Sequence, residues 1–268
     1  MKRLFALLLA TTLVMAACSS DDDGGDTSSS ATEPAETTEL TVFAASSLTT
    51  VFQDAIGPAF EHANPGVTVS FNVGASDALA AQIQSEGTAD VFASASGTWM
   101  DEVEKDPGVS DRTDFVMNRL VIITPPDNPA DIQSIDDLAT PGVQLVLAAE
   151  GVPVGDYARE ALDSAGILDE ALANVVSNEE DNASVVAKIT TGGGEADAAI
   201  VYTSDVSDAA GNDVNAVAIP EDVNVIATYP IAVVEEAPNA DVAADFVAYV
   251  VGSEGQATLK DYGFEPLA

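Results

Sequence analysis

The stretch Thr41 to Phe52, TVFAASSLTTVF, decides how this chain is read. Leu40 to Phe43 is an apolar strand, Ala44, Ala45, Ser46 and Ser47 form a turn of small residues, and Leu48, Val51, Phe52, Ala55 and Ile56 then recur at helical spacing. Ser46 and Ser47 therefore lie where a strand hands over to a helix. Backbone N–H groups at a helix start have no partner in the helix, the macrodipole is positive there, and a serine hydroxyl adds a donor. A turn of this kind suits a small anion.

The pattern recurs at Val67 to Val73, a strand, followed by the turn Gly74-Ala75-Ser76-Asp77 and a helix from Ala78 to Ser85. A serine before a helix ordinarily serves as its cap. Two such turns at the ends of consecutive strands, however, would place two hydroxyls and several amides beside one crevice, where open α/β sheets bind ligands.

Working outward to the N-terminus, Met1 to Cys18 is a targeting segment: Lys2 and Arg3 precede the apolar run Leu4 to Ala17, with small residues before the cysteine. It resembles a bacterial lipoprotein signal, in which Cys18 is lipidated and becomes the first residue of the mature chain. Residues 19–39 are Ser, Thr, Asp, Glu, Gly and Ala with little else, and read as a solvated acidic tether. Cys18 is the only cysteine, so the mature fold has no disulfide.

The 268 residues are 47% hydrophobic but only 6% aromatic, which predicts a core built mainly from Ala, Val, Ile and Leu. Acidic residues number 45 against 8 basic ones, a formal net charge of −37. That balance excludes nucleic acid as a partner, because such binding rests on basic groups neutralising phosphates. It also means that an anion must be held by short-range, desolvated hydrogen bonds against the field of the whole molecule.

Towards the C-terminus the spacing predicts a strand over Ala89 to Ala93, a helix over Thr98 to Lys105, a strongly apolar strand over Asn118 to Thr124 and a strand over Val143 to Ala148. Glu150 to Gly155 is a Pro/Gly-rich turn opening a helix over Asp156 to Ala165, and Ser177 to Asn182 is a further turn before a helix over Ala183 to Thr191. Gly192 to Gly194 lacks the lysine of a phosphate-binding P-loop and reads as a helix stop. A strand over Ala196 to Tyr202 ends at Tyr202-Thr203-Ser204-Asp205, an apolar stretch over Val223 to Val234 is broken by Pro230, and helices over Ala240 to Val251 and Glu254 to Tyr262 close the chain. Strands alternating with helices in this way predict an α/β fold whose parallel or mixed sheet is flanked by helices on both faces. His62, the only histidine, falls at a helix end with no other ligand near it in sequence and reads as a surface residue. Trp99 reads as a packing residue.

With these turns in place, a resemblance emerges over Leu40 to Leu267. VFAASSL (Val42 to Leu48), GASDAL (Gly74 to Leu79) with its continuation to Ser96, VPVGDYAREAL (Val152 to Leu162), AAIVYTSD (Ala198 to Asp205), YPIAVV (Tyr229 to Val234) and YGF (Tyr262 to Phe264) stand in one order. Together they resemble the periplasmic or lipoprotein molybdate-binding component of bacterial ABC transporters. The resemblance implies a two-lobed periplasmic-binding-protein fold of the type II kind, each lobe a mixed sheet flanked by helices, with the ligand in the cleft between lobes. Lobe one would comprise residues 40–117 and 230–268, lobe two residues 118–229.

It further implies that molybdate or tungstate is held by neutral donors: Ser47 and Ser76 through hydroxyl and amide, Val154 and Asn182 through their amides, and Tyr202 through its phenol. No catalytic residue, no cofactor and no directly bound metal cation are implied. The partners would be an ABC permease and, through Cys18, the membrane, with an extracytoplasmic, lipid-anchored monomer as the working form. Asn182 departs from the apolar residue expected there, which an amide donor tolerates. Asp77 would repel an anion if it turned inward, and is expected on the outside, in the first turn of its helix.

Two other readings follow from the same residues. A binding protein for sulfate or phosphate would use the same mechanism with another guest. Gly74-Ala75-Ser76-Asp77-Ala78 is also a G-x-S-x-A turn, close to the nucleophile elbow of a serine hydrolase. That chemistry needs a histidine base following the serine, whereas His62 precedes it.

Overall fold

The computed structural model describes residues 37–191, 196–208 and 214–267. The leader with Cys18, the tether through residue 36 and the run Gly192 to Gly194 lie outside the described residues. The elements run β1 (Thr38–Ala45), a 3-10 turn (Ser46–Leu48), a π-helical segment (Val51–Ile56) continuing into α1 (Gly57–Ala63), β2 (Val67–Gly74), α2 (Ser76–Glu86), β3 (Val91–Ala93), α3 (Gly97–Lys105) and β4 (Val109–Thr124). There follow a 3-10 turn (Ile135–Ala139), β5 (Leu145–Ala148), α4 (Pro153–Ser164), α5 (Leu168–Ala173), β6 (Val175–Glu179), α6 (Asn182–Thr190), β7 (Ala198–Tyr202), α7 (Thr203–Asp208), β8 (Asn215–Ala218), β9 (Ile226–Val234), α8 (Ala240–Val251) and α9 (Ser253–Asp261).

The strands form a mixed sheet in the order β2-β1-β3-β9-β4-β7-β5-β6, with β8 also pairing β4. β1 is parallel to β2 and β3, β5 is parallel to β6 and β7, β9 runs antiparallel to β3 and β4, and β4 runs antiparallel to β7. β4 ties the two ends together. It pairs with β9 from Val109 to Arg119 and with β7 from Leu120 to Ile123.

Side-chain alternation shows why helices cover both faces of the β1–β3–β9 region. Leu40, Val42 and Ala44, Val91 and Ala93, and Ile231 and Val233 join the large core, whereas Phe43, Phe92, Ala232 and Val234 point to a second core formed with Leu79, Ile83, Met100 and Val103 of α2 and α3. Strands buried on both faces carry apolar residues without interruption, as TVFAA does.

Several boundaries differ from the sequence expectation. β1 begins at Thr38, inside the stretch read as tether, because Thr38 N–H bonds the Gly66 carbonyl at 2.8 Å and the strand is in register with β2. β4 starts at Val109, well before Asn118; its polar first half, SDRTD, is exposed and hides the strand from a hydropathy reading. Ser177 to Glu179, read as turn, is strand β6 beside β5. Pro230 does not break the apolar stretch but lies within β9, opposite Asp114, next to a register shift between Asp114 and Val116. A missing N–H is tolerated at such an irregularity.

The few aromatic residues are concentrated. Phe60, Phe246, Phe52, Phe115, Tyr229 and Tyr202 form a chain of ring contacts with successive centroid distances of 5.1, 6.1, 6.4, 6.4 and 5.8 Å. Full burial of one such side chain contributes about 1.5–3 kcal/mol, so this file stiffens the path from α8 to the Tyr202 end of β7.

Candidate functional site

Chain segments that follow a strand and open a helix converge on one cavity. It holds about 200 Å³ of non-atom space, counting the part open to solvent, and is lined by Ala45, Ser46, Ser47, Gly74, Ala75, Ser76, Ala95, Val152, Pro153, Val154, Asn182 and Tyr202. All the residues predicted from sequence to hold the anion, Ser47, Ser76, Val154, Asn182 and Tyr202, are brought together there. Ser46, Ser47 and Asn182 also line an adjoining pocket with Thr49, Thr50, Ala183, Val186 and Asp205.

Each contribution follows from its local structure. Ser46 and Ser47 open the 3-10 turn after β1, Ser76 is the first residue of α2, Val154 follows Pro153 at the start of α4, and Asn182 is the first residue of α6. Amides in these positions have no partner within their own helix, and the positive dipole ends of the helices face the same space. Pro153 fits the first helical position because its absent N–H would be unused there. α4 can start this close to β5 only because residue 155 is glycine: a Cβ there would lie 2.3 Å from the Ala149 carbonyl oxygen and 2.6 Å from that of Ala148. Gly151, with φ of 90°, makes the preceding turn.

The serines are not caps. Neither the 3-10 turn nor α2 has a side-chain cap bond. Instead, the Ser47 hydroxyl lies 2.9 Å from that of Tyr229, and Ser76 Oγ accepts from the Ala95 amide at 3.0 Å. On the opposite wall, the Tyr202 hydroxyl is buried beside that of Tyr229 with no well-formed hydrogen bond among the described residues, and Asn182 Oδ1 is likewise buried without one. Burial, with Tyr229 nearby, pushes the Tyr202 hydroxyl well above the ordinary tyrosine range, and burial does the same to Tyr229, so both phenols remain protonated donors.

Sequence reading missed the residues that brace these groups. Asp205 accepts from Asn182 Nδ2 and from the Tyr202 amide, each at 2.8 Å, and so fixes the start of α6 against the end of β7. Its signal was the SD that closes AAIVYTSD. Trp99, read as packing, donates from its indole nitrogen to the Gly151 carbonyl at 2.8 Å and so joins α3 to the turn before α4. Asp77 lies in the first turn of α2 as expected, but not wholly outside. Its Oδ1 is buried and has no hydrogen-bond partner among the described residues, and the turn at Gly151 packs beside it, with Oδ2 4.0 Å from where a Gly151 Cβ would be.

Among the described residues no lysine, arginine, histidine or carboxylate lines the cavity. Five of the six described cations are engaged elsewhere, Lys105 with Glu102, Arg112 with Asp101 and Glu104, Arg119 with Glu265, Lys188 with Glu179, and Arg159 with the Ala148 and Gly155 carbonyls, and Lys260 is exposed in the last turn of α9. His62 is exposed in the last turn of α1. Among the described residues no three His, Cys, Asp or Glu side chains are grouped to hold a metal ion, and no helix is long and apolar enough to cross a membrane. Chemically, the cavity can surround a small group that offers only acceptors.

Comparison with known proteins agrees with this geometry. The family described as bacterial extracellular solute-binding protein matches residues 40–265. The molybdate-binding protein ModA of Mycobacterium bovis is 38% identical over 239 residues, covering 87% of this chain and 88% of that protein. ModA of Escherichia coli is 36% identical, covering 86% and 90%. Among solved structures, the substrate-binding domain of a putative molybdenum ABC transporter from Clostridium difficile superposes with a TM-score of 0.66 at 27% identity, over 87% of this chain and all of that one. The periplasmic molybdate-binding protein of Azotobacter vinelandii gives 0.74 at 18% identity, over 85% and 100%, a likeness of fold.

Proposed function

The chain belongs to the family of bacterial extracellular solute-binding proteins, and from that premise we propose that it captures molybdate or tungstate and delivers it to an ABC permease. The observation that carries this reading is the convergence of Ser47, Ser76, Val154, Asn182 and Tyr202 on a cavity that no cation among the described residues lines. A doubly charged tetrahedral oxyanion loses its hydration on entry, and an uncompensated charge in a dry site is very costly. Hydroxyls, a phenol and helix-start amides replace that hydration, and hydrogen bonds to a charged acceptor are the stronger kind. The names of the curated relatives point to the same guest.

Residues 40–117 with 230–268 form one lobe in this reading, and residues 118–229 the other. The change of β4 partner between Arg119 and Leu120 supports a boundary at that point. Ser47 and Ser76 then belong to one lobe and Val154, Asn182 and Tyr202 to the other, so that the guest bridges them and holds the lobes closed by a hinge motion. The mature protein is a monomer outside the cytoplasm, anchored through a lipid on Cys18, and the site binds without catalysing a reaction.

Calorimetric titration with molybdate, tungstate, sulfate and phosphate tests the function. Tight binding of the first two and little of the others is expected. A preference for sulfate or phosphate refutes the reading.

A further inference from the structure

Ser47 can serve a proton-free guest only if its hydroxyl proton points into the cavity, and the 2.9 Å contact with Tyr229 leaves two directions open, since either oxygen could donate. The surroundings of Tyr229 decide between them. Asn118, on β4 beside Tyr229 of β9, accepts at Oδ1 from the Arg119 amide at 3.1 Å and from Thr203 Oγ1 at 3.0 Å. A backbone N–H can only donate, so the Asn118 amide cannot turn over. Its Nδ2 therefore faces the Ser204 hydroxyl at 2.9 Å and the Tyr229 hydroxyl at 3.5 Å. An amide nitrogen also only donates. The Tyr229 oxygen is thus the acceptor on that side, and towards the neighbouring Tyr202 hydroxyl it again stands as acceptor, so that among the described residues Ser47 is the partner that remains for its single proton.

We propose that Tyr229 is a positioning residue for anion selectivity: the chain Asn118 Nδ2 to Tyr229 hydroxyl to Ser47 Oγ runs one way and holds the Ser47 proton towards the guest. Ser76 has the same polarity by a shorter route, since its Oγ accepts from the Ala95 amide. Both hydroxyls on this wall are then fixed as donors. An oxyanion without protons is accepted at both, whereas one that keeps an O–H, as phosphate does near neutral pH, meets a donor where it needs an acceptor. Burial of Tyr229 keeps its proton in place across the working pH range. The inference rests on the molybdate reading above and specifies what enforces its selectivity.

The test is calorimetric titration of the wild-type chain, Tyr229→Phe and Asn118→Asp, with molybdate and with phosphate as probes. Tyr229→Phe frees the Ser47 hydroxyl to rotate, so molybdate affinity should fall about tenfold, the effect of losing roughly one hydrogen bond to a charge, while phosphate affinity holds or rises. Asn118→Asp places an acceptor against Tyr229, which reverses the chain, and it provides the same readout should Tyr229→Phe not fold. A molybdate-to-phosphate ratio compressed about tenfold in a folded variant supports the relay; equal losses for both anions, or an unchanged ratio, overturn it. A wild-type chain that does not bind molybdate refutes the underlying reading instead, so the two failures are distinguishable.

Discussion

The two walls of the cavity are built differently. On the wall of Ser47 and Ser76, each hydroxyl oxygen already has a partner in the protein, Tyr229 or the Ala95 amide. On the wall of Val154, Asn182 and Tyr202, the phenol makes no well-formed bond among the described residues and the amides belong to helix starts. A wall with internal bonds is ordered before the guest arrives. A wall with an unpaired buried hydroxyl carries a standing cost, of order 1–3 kcal/mol for such a group, that a bound anion removes. Affinity should therefore come from the hydroxyls of both walls, but only those of the first should also add to the stability of the empty protein.

Gly155→Ala tests the second wall most severely. The added methyl meets two carbonyl oxygens, and the start of α4 must shift. We expect a loss of about 3 kcal/mol of stability in urea unfolding, at the upper end for overpacking, together with lost molybdate binding. Unaltered stability would show that α4 is not held against β5 as described.

The next pair of variants separates the walls. Ser76→Ala leaves the Ala95 amide unpaired, so it should weaken molybdate binding by about 1.5–3 kcal/mol and also lower the stability of the empty protein by about 1–3 kcal/mol. Tyr202→Phe should weaken binding as much, while leaving the empty protein as stable or more so, because it deletes an unsatisfied group. Equal destabilisation of the empty protein by both substitutions would break the comparison.

Alkaline titration gives a smaller effect. Tyr202 and Tyr229 hold their protons more tightly folded than unfolded, so their burial favours the fold fully below the ordinary tyrosine pKa of about 10, and stability should decline as pH rises above it. Tyr202→Phe should blunt that decline; a urea midpoint with the same alkaline slope in the variant would contradict the assignment. The smallest effect concerns encounter. Because the acidic surface repels an anion, added salt should raise the association rate by a few-fold in stopped-flow mixing. A rate that falls with salt would mean that local positive potential dominates at the cavity mouth.

Much of this was legible in the sequence because the strand-to-helix turns are written in short local patterns. FAASSL, GASDAL and VPVGDY each announce a strand end, small residues and a helix start within a few positions, and the residues picked from them line one cavity. What remained hidden depends on distant pairings. The first half of β4 carries exposed polar residues and is a strand only because β9 lies beside it. Asn118 and Tyr229 are 111 positions apart and meet through that same pairing. Asp77 is in the first turn of α2 and off the cavity lining as expected, but its partial burial comes from the turn at Gly151, which no local pattern connects to α2.

Trp99 is the only tryptophan in the chain, and its indole N–H ends on the carbonyl of Gly151, in the turn that leads to Val154. Its fluorescence therefore comes from a single known position. A change in emission colour or intensity when a ligand is added therefore reports on the surroundings of that one indole, where α3 meets the turn, so the protein carries its own optical gauge of this seam.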